Sequence, residues 1–141
     1  MIPPAEEDQW EPLDLTLDSF NAQVMDFDSD SGDIKSQKGW FVKFFAPWCG
    51  HCKRLAPVWS EFNRLHSDDL NVAKVDCTSD GGKPLCGKME VRGYPTLIYF
   101  PGAESLSEGE KSQAVKYQGQ RTIEAFEQFA FNGGWKKVGE D

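Results

Sequence analysis

Residues 40–53, WFVKFFAPWCGHCK, decide the fold that this chain is expected to adopt. The run Trp40–Phe45 is apolar apart from one lysine, which is typical of a central strand covered on both faces. Cys49 and Cys52 follow at a spacing of about one helical turn, and apolar residues then recur three and four apart over residues 53–66. The pattern predicts a buried strand, a tight turn and an amphipathic helix that begins at the first cysteine.

The helix start is also the expected reactive centre. Unpaired N–H groups and the helix dipole stabilise negative charge there, so we expect Cys49 to be an exposed thiolate and Cys52 to be sheltered. Gly50 and His51 form the intervening dipeptide, and His51 adds a hydrogen-bond donor beside the thiolate. Stabilising the reduced form makes the disulfide form a better oxidant. The turn therefore predicts thiol–disulfide exchange by an oxidising pair.

Composition limits the remaining possibilities. The chain has 141 residues, 39% hydrophobic and 27% charged, as expected of one compact domain. A net charge of −8 argues against a nucleic-acid surface or a polybasic membrane anchor. No apolar run approaches the roughly 20 residues that cross a bilayer. The first residues lack the apolar core of a signal peptide and the last four are not a retention signal, so we expect a cytosolic protein or a mature segment.

The periodicity outlines one domain. Residues 1–10 are expected to be a flexible lead-in, residues 11–133 the folded domain and residues 134–141 a C-terminal tail. Further strands are predicted near residues 13–17, at Asn71–Asp76, at Thr96–Phe100 and at residues 114–118, and further helices at residues 20–26, 83–90 and 122–131. This order predicts an α/β fold, in which a mixed sheet with a parallel core and an antiparallel edge hairpin has helices on both faces.

Two other functions remain open at this level. A C-x-x-C pair is also a zinc half-site, and Cys49, Cys52, Cys77 and Cys86 could bind zinc in pairs, although such pairs usually lie on the knuckles of small domains. A redox-silent module that only binds client proteins is the other alternative. A binding module would need neither thiol, so we favour the enzyme and expect no metal.

Several segments resemble a known family. Residues 45–53 and 91–96, FAPWCGHCK and VRGYPT, resemble the active a-type domain of protein disulfide isomerases. Residues 41–45, 73–78 and 114–119 are similar to the endoPDI subgroup of thioredoxin-domain proteins of the endoplasmic reticulum.

The resemblance spans about residues 12–132 and implies a thioredoxin fold that needs no metal or organic cofactor. It implies disulfide formation, reduction and isomerisation in the lumen of the endoplasmic reticulum, where disulfides persist. The implied partners are unfolded or misfolded secretory proteins, glutathione or an upstream thiol oxidase, and sister thioredoxin domains in a longer protein. Nucleic acid is not among them.

The resemblance also implies roles for four further residues. Pro95 matches a cis-proline that leaves the Tyr94 backbone free to pair with an extended client, an ordinary trans turn being the alternative. Trp48 matches an aromatic that shields the disulfide and contacts clients, or it merely caps the turn. Arg121 matches an arginine that approaches the buried cysteine and lowers its pKa, or it is a solvated charge.

Lys43 departs from the family pattern, because most members have a buried carboxylate at this position. One hypothesis is that Lys43 is buried with a lowered pKa and exchanges protons with Cys52 through water. The other, which we favour, is that it reaches the surface and has no role. Lys74 matches the usual partner of the missing acid, so two lysines are expected in one region, with an unidentified anion to compensate.

Cys77 and Cys86 resemble the structural disulfide of several disulfide isomerase domains. A bridge between them would tie the end of a strand to the following short helix. The alternative is a pair of free, buried thiols.

Overall fold

The structure is a computed structural model that describes residues 10–25, 35–106 and 113–138. Most of the predicted lead-in and residues 139–141 of the predicted tail lie outside the described residues. The strands are β1 (Leu13–Asp14), β2 (Trp40–Phe45), β3 (Asn71–Asp76), β4 (Thr96–Phe100) and β5 (Val115–Lys116). The helices are α1 (Leu17–Gln23), α2 (Gly50–His66), α3 (Lys83–Lys88), α4 (Ile123–Phe131) and α5 (Gly134–Val138), with a 3₁₀ turn at Ala103–Ser105.

The five strands form one mixed sheet in the order β1-β3-β2-β4-β5. Strand β3 runs parallel to both β1 and β2, whereas β4 is antiparallel to β2 and β5 is antiparallel to β4. The predicted parallel core with an antiparallel edge is therefore confirmed. The predicted bounds of β2, β3 and β4 also agree with the structure, because these apolar strands lie in the middle of the sheet.

Helices cover both faces of the sheet. On one face, Val42 and Phe44 of β2 pack in a cluster with residues of α1 and α3. On the other face, Phe41 packs in a cluster with residues of α2, α4 and α5. Side chains alternate along a strand, so Lys43 lies on the same face as Phe41. That face carries α2, and the strand thus directs Lys43 toward the helix of the cysteine pair.

The first strand and helix differ from the prediction. Alternating leucines suggested a strand across residues 13–17, yet β1 ends at Asp14 and α1 begins at Leu17. Thr16 caps the helix: its side chain accepts a hydrogen bond from the Ser19 N–H, and the Ser19 hydroxyl accepts one from the Thr16 N–H. This capping box satisfies two backbone donors and starts the helix earlier than Phe20, where we expected it. The predicted strand at residues 114–118 is likewise shortened to Val115–Lys116.

The end of the described chain differs from the predicted tail. Gly133 has φ +80°, a backbone conformation that glycine tolerates, and it separates α4 from α5. Trp135 on α5 is only 8% exposed, and its ring centroid lies 5.4 Å from that of Tyr99. Helix α5 is thus packed against the domain through Trp135. Among the described residues, no helix is both long enough and apolar enough to cross a membrane.

Candidate active site

The cysteine pair lies where β2 meets α2. Cys49 is the N-cap of the 17-residue helix α2, and its Sγ accepts a hydrogen bond from the Cys52 N–H at 3.3 Å. The Cys49 N–H donates to the Ala46 carbonyl at 3.1 Å, which closes the turn after the strand. No acidic side chain lies in the first turn of α2, so the dipole of the helix start is not neutralised there. Both cysteines are free thiols, and Cys49 is only 8% exposed and Cys52 3% exposed. The expectation that Cys49 is exposed is therefore wrong, because Cys49 packs in a buried cluster with Ala46 and Cys52 beside Phe45 and Tyr94.

The two thiols have opposite pKa shifts. The pKa of Cys49 is lowered, first by a hydrogen bond from the Cys52 thiol and then by the N–H groups of Cys52 and His51. Burial raises the pKa of Cys52 to about 11, and the hydrogen bond that its thiol donates to Cys49 acts in the same direction. One sulfur is therefore prepared to attack as a thiolate, while its neighbour stays protonated and sheltered.

The intervening dipeptide is exposed. Arg54 Nη2 donates a hydrogen bond to Nδ1 of His51 at 2.7 Å. A guanidinium has no acceptor, so in this arrangement Nδ1 is the unprotonated nitrogen and His51 has Nε2 left to donate. Sequence reasoning expected the His51 donor but missed Arg54, although a spacing of three residues on a helix could have indicated the contact. Gly50 has open space around it, since the nearest atom to an added Cβ would be Arg54 Nη1 at 4.0 Å.

An aromatic rim lies beside Cys49. The Tyr94–Pro95 peptide bond is cis, and the Tyr94 carbonyl lies 3.6 Å from Cys49 Sγ. Trp48 is 69% exposed, and its ring meets that of Tyr94 edge-on at 5.7 Å between centroids. The structure thus brings Trp48, Tyr94 and Pro95 together at the reactive sulfur, with apolar surface open to a visiting chain.

Lys43 is buried, and the surface position that we favoured is wrong. The residue is 4% exposed, and its Nζ lies 5.2 Å from the centre of the Phe45 ring. Burial lowers the pKa of Lys43, and the charge of Lys74 lowers it further. The side chain stays largely buried because β2 is a central strand whose face is covered by α2.

The compensating anion that the sequence did not identify is Glu11. Lys43 and Lys74 are opposite each other on β2 and β3, which brings two like charges together. The Lys74 ammonium forms an ion pair with the Glu11 carboxylate, and Asp14 lies opposite Lys74 on β1. Glu11 and Asp14 both raise the pKa of Lys43 and so partly offset the effect of Lys74. No local pattern joins residue 11 to residue 74, so this pairing needed the folded chain.

Arg121 is exposed and acts on the other cysteine. Its charge contributes to the lowered pKa of Cys49, whereas the resemblance implied an arginine that lowers the pKa of the buried cysteine. In this arrangement Arg121 favours the attacking thiolate. An approach toward Cys52 would require a different side-chain conformation.

Cys77 and Cys86 are joined by a disulfide, with an S–S distance of 2.02 Å and a Cα–Cα distance of 5.8 Å. Because these sulfurs are bonded to each other, they are not thiolates that could bind zinc with Cys49 and Cys52. Among residues 10–25, 35–106 and 113–138, no three His, Cys, Asp or Glu side chains come together as a metal site.

Several known proteins are similar to this chain in sequence or in fold. Protein disulfide-isomerase-like protein EhSep2 of Emiliania huxleyi is 42% identical over 122 residues, which cover 85% of this chain and 47% of that protein. Thioredoxin domain-containing protein 5 homolog of Drosophila melanogaster is 44% identical over 92 residues, covering 63% of this chain and 20% of that protein. The solved J-Trx1 fragment of ERdj5 has a TM-score of 0.69 at 30% identity, covering 95% of this chain and 54% of that chain.

These relatives confirm the resemblance to disulfide isomerase domains and to thioredoxin-domain proteins. The chain spans about half of the first relative and about a fifth of the second. The model of the Thioredoxin family matches residues 12–131, which include nearly all of the described residues. With its mixed sheet, its helix-capping cysteine and this match, the chain belongs to the thioredoxin family.

Proposed function

We propose that this chain is a thiol–disulfide oxidoreductase and isomerase domain that forms, reduces and rearranges disulfides in client proteins of the secretory pathway. The observation that supports it best is the opposite behaviour of the two thiols. The lowered pKa of Cys49 and the raised pKa of Cys52, about 11, give one nucleophile and one sheltered resolving group. The names of the relatives support the same reaction class.

In the oxidising direction, the Cys49–Cys52 disulfide accepts two electrons from a client dithiol. A client thiolate attacks Cys49 Sγ, the Cys49–Cys52 bond breaks, and Cys52 leaves with the electron pair and takes up a proton. A second client thiolate attacks the client sulfur of this mixed disulfide. The client disulfide forms, and Cys49 leaves as a thiolate stabilised by the N–H groups of Cys52 and His51.

In the reducing direction, the same steps run backward. The Cys49 thiolate attacks a client disulfide and one client sulfur leaves. Cys52 then loses its proton and attacks Cys49 Sγ, which frees the second client sulfur and restores the internal disulfide. In isomerisation, a different client thiol resolves the mixed disulfide before Cys52 does, so no net electrons move.

Lys43 assists Cys52 in both directions. A thiol with a pKa of about 11 is a poor leaving group and a poor nucleophile at neutral pH. The charge of Lys43 lowers the pKa of Cys52, and burial makes the Lys43 ammonium a better proton donor than an exposed lysine. The Lys43 ammonium therefore supplies a proton when Cys52 leaves, and its charge favours loss of the Cys52 proton when Cys52 attacks. Arg121 has the corresponding electrostatic role at Cys49.

Clients bind at the rim formed by Trp48, Tyr94 and Pro95. The exposed indole of Trp48 supplies apolar contact, and the backbone at Tyr94 supplies hydrogen bonds for an extended segment. The proposed location is the lumen of the endoplasmic reticulum. The proposed partners are unfolded secretory proteins, glutathione or an upstream thiol oxidase, and sister thioredoxin domains.

Insulin reduction and the refolding of a scrambled disulfide protein test the function. We expect the parent to catalyse both, and Cys49→Ser to lose both while it keeps its circular dichroism spectrum. Cys52→Ser should still form mixed disulfides with clients but release them slowly, so the adducts accumulate on non-reducing gels. Full activity in Cys49→Ser would refute the proposed nucleophile.

The same variants separate the enzyme from a binding-only module, for which the exposed Trp48 is the supporting observation. A module of that class would suppress client aggregation equally well with both active-site cysteines replaced, and it would leave scrambled disulfides unchanged. An enzyme loses disulfide rearrangement with the thiols.

A further inference from the structure

A groove of about 620 Å³ lies next to the aromatic rim, between the loop before β4 and the end of β5. Among the described residues, its lining includes the cations Arg92, Lys116 and Arg121 and one acid, Glu90. All four side chains are exposed. Among the described residues, none of the three cations forms an ion pair with a carboxylate. The groove is therefore locally positive, although the chain as a whole has a net charge of −8.

Pro95 connects the groove to the neighbourhood of the reactive sulfur. This residue lines the groove, and the preceding Tyr94 carbonyl lies 3.6 Å from Cys49 Sγ. Arg121 also lines the groove, and its charge acts on Cys49. A polypeptide whose sulfur has reached Cys49 can thus continue across Pro95 into the groove without leaving the surface.

The shape of the groove suits an extended segment. Its walls are the short edge strand β5 and the neighbouring strand β4. Edge strands pair readily with extended chains. The positive lining then selects among such chains by charge. We infer that this groove holds acidic residues that flank the reacting cysteine of a client, so that the domain prefers clients with Asp or Glu near the disulfide; this rests on the proposed function.

The attraction of the groove for carboxylates offsets an electrostatic repulsion elsewhere in the domain. A client segment rich in carboxylates is repelled by the Cys49 thiolate and by the acidic remainder of the chain. The three cations and one acid that line the groove among the described residues together attract carboxylates locally. Exposed ion pairs contribute little individually, so each cation should change the rate by roughly 2- to 5-fold. The effect should weaken when added salt shortens the screening length.

Two synthetic peptides test the inference. Each contains one internal disulfide, flanked by glutamates in the first peptide and by glutamines in the second. The measurement is the second-order rate constant of peptide reduction by the reduced protein, divided by the rate constant with dithiothreitol to remove intrinsic differences in reactivity. We expect the parent to prefer the glutamate peptide. Lys116→Gln and Arg92→Gln should each lower this preference by roughly 2- to 5-fold, and the double variant should remove it.

Lys83→Gln is the matched control, because Lys83 is an exposed cation on α3 that does not line the groove. It should keep the preference of the parent. A parent without preference, a preference unchanged in the double variant, or an equal loss in Lys83→Gln would each overturn the inference. Reduction of the glutamine peptide reports the proposed function separately, since a domain that fails with both peptides lacks the activity itself.

Discussion

Lys43 is the residue at which this chain departs from the pattern that the resemblance implies. A carboxylate at this position would take the proton of the resolving thiol directly. The lysine instead has its pKa lowered by burial and by Lys74, while Glu11 and Asp14 limit the shift. The charge that acts on Cys52 is thus set by four residues on three strands or their flanking segments. The pKa of Lys43 thus depends on its burial and on the charges of its neighbours.

Lys43→Met removes the buried ammonium and keeps the side-chain length. Because the pKa of Lys43 in the fold lies below its ordinary 10.5, the ammonium destabilises the fold. This cost is fully present below the folded-state pKa and disappears as the pH rises past 10.5. We expect Lys43→Met to raise the free energy of unfolding at pH 7 by on the order of 1 kcal/mol. The gain should shrink toward pH 10.5, as urea unfolding at several pH values would measure.

Lys43→Met should also slow the reaction of Cys52, although it stabilises the fold. Without the Lys43 charge the pKa of Cys52 rises further, so resolution of a mixed disulfide at pH 7 should slow by roughly 3- to 10-fold in stopped-flow experiments. Lys53→Met, at an exposed lysine next to Cys52, is the control and should match the parent in both measurements. An unchanged resolution rate across pH in Lys43→Met would eliminate the proton-transfer role.

Among the structural elements, the segment between β3 and β4 positions Tyr94 and Pro95 of the aromatic rim. Its start is held by the Cys77 N–H, which donates to the Phe45 carbonyl at the end of β2 at 2.9 Å. Its middle is held by the Val91 N–H, which donates to the Cys86 carbonyl at 3.0 Å. The disulfide joins Cys77 to Cys86, so the first half of the segment is anchored at both ends and fixes where the stretch to Tyr94 begins.

Replacing Cys77 and Cys86 by alanine tests this anchoring. The chain-entropy estimate for so short a loop predicts a loss of about 2 to 3 kcal/mol in the free energy of unfolding. Insulin reduction should persist, because neither sulfur is at the reactive centre. Chemical denaturation without reductant measures the loss, and Cys77→Ala alone should give nearly the same value, since it also removes the bridge. A double variant as stable as the parent would contradict the anchoring role.

In the molecule as a whole, α5 helps to cover one face of the sheet. Phe41 lies at the centre of the cluster under α2 and α4, and Tyr99 lies nearer its edge, where Trp135 covers it. The helix α5 thus belongs to the same packed unit as the catalytic helix. Its contribution to stability is a property of the fold and not of the active site.

Trp135→Ala should therefore lower the free energy of unfolding by about 3 to 5 kcal/mol, the usual cost of truncating a buried tryptophan. Trp48→Ala is the matched control, because this tryptophan is 69% exposed, and it should cost less than about 0.5 kcal/mol. Guanidinium unfolding of both variants measures the difference. If both variants lost equally little free energy of unfolding, α5 would not unfold together with the rest of the domain, and residues 134–138 would behave as the predicted tail.

Much of the fold was predictable from local patterns. The strands β2 and β4 are largely apolar runs, which occur where a strand is buried on both faces, and β3 has the apolar residues Val72, Ala73 and Val75 between polar ones. The position of Cys49 at the start of α2 followed from the apolar periodicity behind it. The predictions failed where a local pattern was misleading. The alternating leucines predicted a strand across residues 13–17, where α1 already begins at Leu17, and Gly133-Gly134 predicted the end of the domain before α5.

The reactive turn, the central strands and the family could be read from local patterns, because each depends on residues that are close together in the chain. The burial of Lys43, the pairing of Glu11 with Lys74, the covering of Tyr99 by Trp135 and the positive groove beside Pro95 became visible in the folded chain alone. Each of these joins residues that are distant in sequence. Burial and charge pairing are properties of neighbours in space, and only the folded chain determines which residues become neighbours.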